Sequence, residues 1–558
     1  MDHMKEGDEP RFTTSALTAP TSRETSRTFA PRRHYLPRGS YLKNNTSTLV
    51  KWTGRCGFEA RAAAGRDSTH TMRLVGGFIV TMPSPSTICI KMGDVTVEDG
   101  IIRSIEYDDG EDVSRRSFVE CVATAAAVAA LPASSAATPE EDVVDCRGRF
   151  LLPGFVDCHA HAPQYAFTGS CIDLPLLEWL ETYTFPTERR FEDVEYARGV
   201  YMRCVARHVL NGTTTCSYFG TIHLESSKLL VDVVRRYGQR AWVGKVNMDR
   251  NSPDDYCEST AASLADTAAF VEWVRDSAAA TPPLVAAAIT PRFVPTCTAE
   301  LMRGLAALAD EHGLHVQSHL SESAAECEWV KALHPEASCY LDVYDRAGLL
   351  GRGRFRTYMA HCVQSDAFER AMLRETSTAV VHCAASNFNI GSGVCNVRRL
   401  LREGVDVCLG TDVAGGCSPS MLDAIQQTVV ASKVAMFGAR GDFDPAVEAP
   451  DAAAAAANAP LTLVEALYLA TVGGAKVLGL EGVTGQLAVG LEFDCNVVDV
   501  RPPSDPTERS AGPVDVFEHD VVEDVLSKFL LLGDERALER IYVRGRLVAR
   551  EGKLVPGA

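Results

Sequence analysis

The chain has 558 residues, of which 46% are hydrophobic and 23% are charged, a composition typical of globular proteins and a length that predicts one large domain plus a smaller one. Its net charge of −18 argues against nucleic acid as a partner, because phosphate binding requires clusters of Lys and Arg. No apolar run approaches the roughly 20 residues needed to span a bilayer, so no membrane partner is expected.

Cysteine usage indicates the compartment. The 18 cysteines are scattered and form no C-x-x-C pair, whereas disulfide scaffolds and thiolate zinc cages use closely spaced cysteines. We interpret them as small buried side chains in a reducing compartment. The sequence also lacks the features of a secretory or mitochondrial signal, which favours a cytoplasmic location.

The chain begins with a region of low apolar periodicity. Residues 1–71 mix Pro, Ser, Thr, Gly and basic residues, which predicts a disordered N-terminal extension. Residues 72–150 contain short β-rich runs broken by Gly and Asp, which predict the N-terminal part of a small β-sandwich. An Ala-rich stretch at about 122–138 is interpreted as a surface insertion.

Residues 151–482 alternate short buried strands with helical patterns, as parallel βα units do. Eight such steps predict an α/β fold with a (β/α)8 TIM barrel carrying insertions, one of them Ala-rich at about 446–459. Residues 483–558 return to strands (Cys495–Val500 and Arg540–Val548), which we expect to complete the sandwich. The predicted barrel strands are Phe150–Val156, Thr213–Tyr218, Ala241–Val246, Ala286–Thr290, His315–His319, Thr357–His361, Ala379–His382 and Val407–Thr411.

The sharpest motif is LLPGFVDCHAH, an apolar strand followed by His159 and His161. Residues two apart in an extended backbone project to the same side, so both imidazoles can reach one metal ion. Catalytic side chains of TIM barrels lie at the C-terminal ends of strands. An H-x-H pair alone is weak evidence, but at the end of a buried strand it predicts a metal site.

The segment HVQSHLSE adds a third imidazole. His319 ends a predicted strand, and Glu322 follows in the next loop, where it can act as an acid and base. His315 begins the same strand and is interpreted as structural, because it lies at the opposite end.

Two further strand ends carry candidate ligands. Asp412 ends the strand in VCLGTDVAGG, where a carboxylate can bind a metal and accept a proton from water, although an Asp at this place is often only a helix cap. His361 and His382 both close apolar strands, and the spacing does not decide between them.

These residues together predict a mononuclear metal centre. Nitrogen and oxygen ligands without thiolate suit Zn²⁺ best, followed by Fe²⁺ or Mn²⁺. Such a metal lowers the pKa of water from 15.7 to about 7. The expected reaction is hydrolysis of an electrophilic carbon.

Longer segments resemble one enzyme family. HAHAPQYAFTGSCIDLPLLEWLETYTFPTE, NGTTTCSYFGTIH, TPRFVPTC, QSHLSE, GTDVAGG and FLLLGDERALERIYVRGR are similar to the guanine deaminases, which are metal-dependent hydrolases of the amidohydrolase superfamily. The similarity is close from about 150 to 440 and in the C-terminal tail, and it is absent before Met72.

This resemblance implies a single Zn²⁺ per chain and favours His361 over His382 as the fourth imidazole. Glu322 would move a proton from water to the ring nitrogen beside the attacked carbon, and Asp412 would assist in deprotonating the water. The implied reaction converts guanine and water to xanthine and ammonia, and the implied assembly is a homodimer. The implied metal ligands are His159, His161, His319, His361 and Asp412.

The resemblance also implies a substrate pocket. Gln164 and Arg292 match the family positions that hold the O6 and N1 edge of the purine, and Phe293 supplies an apolar wall. Adenine carries an amino group in place of O6 and would leave buried donors unpaired, which is a strong basis for discrimination. One departure from the family pattern is AASN at 384–387 in place of Pro-Asn-Ser-Asn, which predicts the loss of one amide near the site.

Three other functions are alternatives to the one that the resemblance implies. A binuclear ring-amide hydrolase needs a carbamylated strand lysine, for which Lys245 is the candidate, but Glu322 favours a mononuclear deaminase. A deaminase of another heterocycle is the second alternative, and a non-catalytic binding protein on this scaffold is the third. A cytidine-deaminase fold is excluded, because no P-C-x-x-C follows the H-x-E at His223.

Overall fold

A computed structural model describes residues 70–128, 141–278, 283–439, 456, 458–501 and 514–555. The predicted disordered extension (1–71) lies outside the described residues except for its last two positions, and Thr71 already begins the first strand. Most of the second Ala-rich insertion (446–459) also lies outside them. The first Ala-rich stretch begins within the helix Phe118–Val128.

The described residues form eighteen strands and a set of helices. Among these helices we find none that is long and apolar enough to cross a membrane. The strands, numbered in chain order, are β1 Thr71–Ser84, β2 Thr87–Glu98, β3 Ile101–Tyr107, β4 Glu141–Asp145, β5 Arg149–Pro153, β6 Phe155–His161, β7 Thr213–Phe219, β8 Arg240–Gly244, β9 Val246–Asn247, β10 Val285–Pro291, β11 His315–Leu320, β12 Thr357–His361, β13 Ala379–His382, β14 Val407–Leu409, β15 Cys495–Asp499, β16 Leu538–Val543, β17 Arg546–Arg550 and β18 Lys553–Leu554. The α-helices are Phe118–Val128, Leu176–Trp179, Phe185–Glu188, Val194–Leu210, Leu224–Arg236, Thr260–Asp276, Ala299–His312, Ala324–Leu333, Tyr340–Ala347, Ala367–Glu375, Ala384–Asn389, Val397–Arg402, Met421–Ala439, Leu463–Tyr468, Gly474–Val477 and Val522–Leu532.

Strands from both ends of the chain form one nine-stranded sheet. Its order is β18-β17-β16-β15-β5-β1-β2-β3, and β4 pairs with β1. The two ends meet where β5 pairs antiparallel with β15, with Leu151 opposite Val497. Alternate side chains serve two cores, because Leu151 packs in a core within this sheet while Phe150 packs in the core shared with the barrel. The predicted pairing of N- and C-terminal strands is confirmed.

The second sheet is the predicted TIM barrel. Eight strands run parallel in the order β14-β13-β12-β11-β10-β8-β7-β6, and β9 pairs beside β10. β6 meets the segment that follows β14 through backbone hydrogen bonds, in which Asp412 N donates to His159 O at 2.8 Å and His161 N donates to Val413 O at 2.9 Å. The barrel therefore closes at His159, His161 and Asp412, which are three of the predicted metal ligands.

Three predicted strands are wrong in their bounds, and one of them, Ala241–Val246, divides at Lys245 into β8 and β9. The predicted first barrel strand, Phe150–Val156, is two strands, because β5 belongs to the terminal sheet and β6 to the barrel. The chain changes sheets at Gly154, where a Cβ would collide with the side chain of Thr214. His159 and His161 consequently lie within β6 and not after it. The predicted strand Arg540–Val548 is likewise the hairpin of β16 and β17.

Candidate active site

Four imidazoles and one carboxylate converge at the C-terminal end of the barrel. His161 Nε2 lies 3.1 Å from His319 Nε2. The Asp412 carboxylate lies 3.3 Å from His159 Nε2, 3.5 Å from His161 Nε2 and 3.7 Å from His361 Nε2. All five residues are buried. Two overlapping groups within this cluster have the geometry to hold a metal ion, namely His159 with His161 and His319, and His159 with His361 and Asp412.

Hydrogen bonds at Nδ1, on the side of the ring away from the cluster, fix the orientation of two imidazoles. His319 Nδ1 bonds the backbone carbonyl of Arg292 at 2.6 Å, and His361 Nδ1 bonds the Oδ1 of Asn387 at 3.0 Å. Since each of these acceptors requires a proton on Nδ1, the Nε2 lone pair faces the cluster. The Nε2 of His159 makes no hydrogen bond of good geometry among the described residues, although the Asp412 carboxylate lies 3.3 Å away, so this nitrogen can bind a metal ion.

The electrostatics of the cluster favour a cation. Burial, followed by the neighbouring imidazole of His159, lowers the pKa of His161 and of His319 well below the usual range, so both rings are neutral and able to donate a lone pair. Burial alone would raise the pKa of Asp412, but its contact with His159 holds that pKa well below the usual range. The carboxylate is therefore ionised, as a metal ligand must be.

The backbone is held in an uncommon conformation at two of these residues. His361 has a φ of 75° and Asp412 a φ of 49°, in the left-handed region that non-glycine residues seldom adopt. Such strain persists only where the surrounding structure imposes it, and it concentrates at functional sites.

Glu322 lies beside the cluster, in the loop after β11. One carboxylate oxygen accepts from Ser392 Oγ at 3.1 Å, and the other lies 3.4 Å from His361 Nε2. Burial, aided by the charge of Asp412, raises the pKa of Glu322 to about 8. A carboxyl group with such a pKa can both accept and donate a proton near neutral pH.

A cavity of about 390 Å³ opens on the cluster. The side chains predicted for the substrate, Gln164, Arg292 and Phe293, line it together with Glu322, and Trp179 and Leu180 add apolar wall. The cluster contributes His161, His319, His361 and Asp412 to the lining. An apolar pocket with a few convergent polar groups suits a small heterocycle. The structure thus places the sequence-predicted site residues along one cavity, except His159, which lies behind it beside Asp412. Their individual roles remain predictions.

Three residues at this site were not found from the sequence. Glu188 is fully buried and bonds both Gln164 and Arg292, although it lies within the family-like string that ends in FPTE. Asn387, the last residue of the divergent AASN segment, orients His361 despite the predicted loss of an amide nearby. Ser392 bonds Glu322, and no sequence signal pointed to it.

The alternative candidates lie outside the cluster. His382 is buried, but it belongs to neither ligand group among the described residues. Lys245, the candidate for a carbamylated lysine, donates to Glu258 at 2.6 Å and to the carbonyl of Val246 at 3.2 Å. His315 stacks on Trp242 with ring centroids 5.2 Å apart, in agreement with a structural role.

The arrangement of the site agrees with the sequence comparisons. The sequence profile of the amidohydrolase family matches residues 150–548, which is well over half of the chain. The chain belongs to the amidohydrolase family. The matched span contains every ligand candidate of this amidohydrolase and reaches into its C-terminal strands.

Relatives of this amidohydrolase include guanine deaminases. It is 40% identical to the guanine deaminase of Dictyostelium discoideum over 453 residues, which cover 81% of this chain and 92% of the relative. It is 43% identical to the guanine deaminase of Mus musculus over 400 residues, 72% of this chain and 83% of the relative. Among solved structures, guanine deaminase from C. acetobutylicum with bound guanine in the active site superposes with a TM-score of 0.71 at 32% identity, over 86% of this chain and 99% of that chain.

Proposed function

We propose that this amidohydrolase is a guanine deaminase, which converts guanine and water to xanthine and ammonia. The observation that carries the proposal is a single cavity that joins the His/Asp cluster and Glu322 on one side to Arg292 and Gln164 on the other. The relatives named as guanine deaminases support the same substrate.

The cluster fits one divalent cation per chain. Neutral imidazole nitrogens, an ionised carboxylate and an unpartnered buried nitrogen at His159 are the donor set expected of such a site. Ligands of this kind without thiolate favour Zn²⁺. The residues that would hold it are His159, His161, His319, His361 and Asp412. When bound, the ion supplies Lewis acidity, which lowers the pKa of water from 15.7 to about 7.

Glu322 and Asp412 are the proposed proton carriers. Glu322 Oε2 faces the cluster and Oε1 is held by Ser392, so the carboxylate can take a proton from the attacking water. It delivers that proton to the ring nitrogen beside the attacked carbon, and Asp412 assists in deprotonating the water and in the departure of ammonia. A carboxylate placed in this way, within reach of both the cluster and the substrate cavity, can accept the proton and then donate it.

Arg292 and Gln164 would bind the carbonyl edge of the base. The guanidinium only donates hydrogen bonds, and the amide NH₂ of Gln164 can donate as well. A carbonyl at position 6 satisfies these donors, whereas an amino group would leave them unpaired in a buried site, which discriminates strongly between substrates. Phe293 lines the same cavity and covers the base.

The alternative of a binuclear ring-amide hydrolase has little support. It needs a carbamylated lysine beside the metal ligands, whereas the Lys245 ammonium forms an ion pair with Glu258. A homodimer and a cytoplasmic location stay predictions from the sequence.

The proposal is tested by offering guanine, adenine, cytosine and a pterin side by side to zinc-loaded protein. We expect ammonia from guanine alone, with an equal amount of xanthine identified by its absorbance. Turnover of another ring would refute the assignment of Arg292 and Gln164. Inactivity on all four rings, with zinc bound, would refute deamination of guanine and favour a ring-amide hydrolase or an inactive scaffold.

A further inference from the structure

A buried glutamate holds the two side chains that face the substrate. Glu188 ends the helix Phe185–Glu188 and has no exposed surface. We propose that Glu188 is a positioning residue that makes the site selective for a purine with a carbonyl at position 6, by fixing Gln164 and Arg292 as hydrogen-bond donors. This inference rests on the proposed function and extends it to the origin of specificity.

The carboxylate of Glu188 accepts four hydrogen bonds. Arg292 Nη1 donates to Oε2 at 2.6 Å and Nη2 donates to Oε1 at 3.2 Å. Gln164 Nε2 donates to Oε1 at 2.9 Å, and the Tyr256 hydroxyl donates to Oε2 at 2.8 Å. An ionised carboxylate has about four acceptor positions, so Glu188 is satisfied by the protein alone.

The direction of the Gln164 amide follows from its two partners. Its Nε2 faces the Glu188 carboxylate, which only accepts, and its Oε1 accepts from the backbone N–H of Ala414 at 3.2 Å, which only donates. A rotation of the amide by half a turn would oppose acceptor to acceptor and donor to donor. Gln164 therefore keeps its oxygen away from the substrate and has one remaining amide hydrogen to offer.

The charge of Arg292 depends on the same carboxylate. Arg292 is buried, and Glu188 is its ion-pair partner. Burying a cation without a counter-charge is very costly, while a well-bonded pair is tolerated. Two of the five N–H groups of the guanidinium go to Glu188, and the others remain available. The pair is neutral overall, which suits a neutral base.

Together these hydrogen bonds direct the N–H groups of Gln164 and Arg292 toward the substituent at position 6 of the purine. Without the negative charge at Glu188, only the backbone N–H of Ala414 still directs the Gln164 amide, so the amide NH₂ is held less firmly as a donor, and Arg292 loses its fixed direction. Glu188 thus sets the specificity without touching the substrate, through its hydrogen bonds to Gln164 and Arg292. Tyr256 offers a matched control, because it bonds Glu188 but neither Gln164 nor Arg292.

The test compares guanine with 2,6-diaminopurine, which carries the same amino group at position 2 and an amino group in place of O6. The measured quantity is the ratio of kcat/KM for the two substrates in wild type, Glu188→Gln, Glu188→Asp and Tyr256→Phe, each loaded with zinc and checked for metal content and thermal unfolding. We expect the ratio to fall at least about tenfold in Glu188→Gln, mainly through a higher KM for guanine, because an interaction lost from binding raises KM more than it lowers kcat. We expect Tyr256→Phe to lower the ratio less than Glu188→Gln does, because it removes one neutral hydrogen bond to Glu188 and leaves the carboxylate charge and its bonds to Gln164 and Arg292 in place.

Each outcome decides between two claims. If wild type does not deaminate guanine, the proposed function and this inference both fail. If wild type deaminates guanine but a folded, zinc-loaded Glu188→Gln keeps the wild-type ratio, only the role of Glu188 fails. Glu188→Asp carries the same test should Glu188→Gln not fold, since the shorter side chain cannot reach all four donors.

Discussion

The two sides of the active-site cavity are built differently. On the metal side, His159, His161, His319 and His361 lie within barrel strands or at their ends, and parallel ladders set their positions. On the substrate side, Gln164 and Glu188 lie in short helices, and only a network around one carboxylate joins them to Arg292. The metal side is therefore held by the fold, while the substrate side is held by its own hydrogen bonds.

The largest effect expected from this difference is that of metal removal. Dialysis against a chelator should reduce ammonia release to the level of the uncatalysed control, because the proposed chemistry needs a cation at the cluster. The far-ultraviolet circular dichroism should be unchanged, since the strand ladders keep the histidines in place without the ion. Readdition of Zn²⁺ should restore turnover, and turnover by protein shown to be free of metal would refute the metal-dependent mechanism.

The second prediction concerns Glu322, which lies on the metal side but holds no strand position. Glu322→Gln should lower kcat for guanine by about 10²–10⁴-fold, the range typical of a lost proton carrier, while zinc stoichiometry stays at the wild-type value. Rapid-mixing kinetics with metal analysis measure both quantities. Glu465→Gln, at a buried capping glutamate elsewhere in the chain, is the matched control and should leave kcat unchanged. Equal losses in the two variants would refute a specific role for Glu322.

The same comparison explains what could be predicted from the sequence. The barrel and the ligand candidates follow from a repeated local pattern, an apolar run that ends in His or Asp, and each run needs no information from distant residues. His361 and His382 fit that pattern equally well, so the pattern alone could not separate them. The structure distinguishes them through Asn387, which bonds His361 across 26 positions of sequence.

The substrate side could not be predicted in this way. Glu188 stands in a polar segment, and an isolated glutamate there is ordinarily a surface residue. Its burial becomes tolerable only because Arg292, 104 positions away, supplies the opposite charge. The break between β5 and β6 also depends on distant residues, since β5 pairs with β15 and β6 pairs with β7.

The third prediction tests how far hydrogen bonds contribute on the metal side. Asn387→Ala removes the acceptor of His361 Nδ1, and we expect zinc affinity to fall about 10–100-fold, as is typical when the partner of a ligand is lost. Competition with a chromogenic chelator measures the affinity. Asn496→Ala removes another buried asparagine, whose amide donates to Gly212 O over a distance of 3.0 Å. Because Asn496 is not part of the cluster, this variant should leave the zinc affinity unchanged. An unchanged affinity in Asn387→Ala would show that the strands alone orient this ligand.

The smallest expected effect separates the two buried glutamates of the site, Glu322 at the cavity and Glu188 behind it. Glu188 is paired with Arg292, whereas Glu322 has the hydroxyl of Ser392 and the repelling carboxylate of Asp412 as neighbours. The folded pKa of Glu322 is raised from its usual 4.5 to about 8, so the folded protein retains a proton that the unfolded chain releases. In metal-free protein this contribution to stability is complete below pH 4.5 and is lost as the pH rises toward 8.

The free energy of unfolding of metal-free wild type should therefore fall with rising pH by up to about 1.4 kcal/mol per pH unit from this group. Glu322→Gln cannot ionise and should lack this component, so the difference between wild type and variant isolates it from the titrating histidines. Urea denaturation at pH 5, 6.5 and 8 measures the two slopes. Added Zn²⁺ should flatten the wild-type slope, because a cation stabilises the ionised carboxylate. Parallel slopes in wild type and variant would mean that Glu322 is already ionised in the metal-free fold. Both buried glutamates would then be charged and stabilised by their neighbours, as Glu188 is by Arg292.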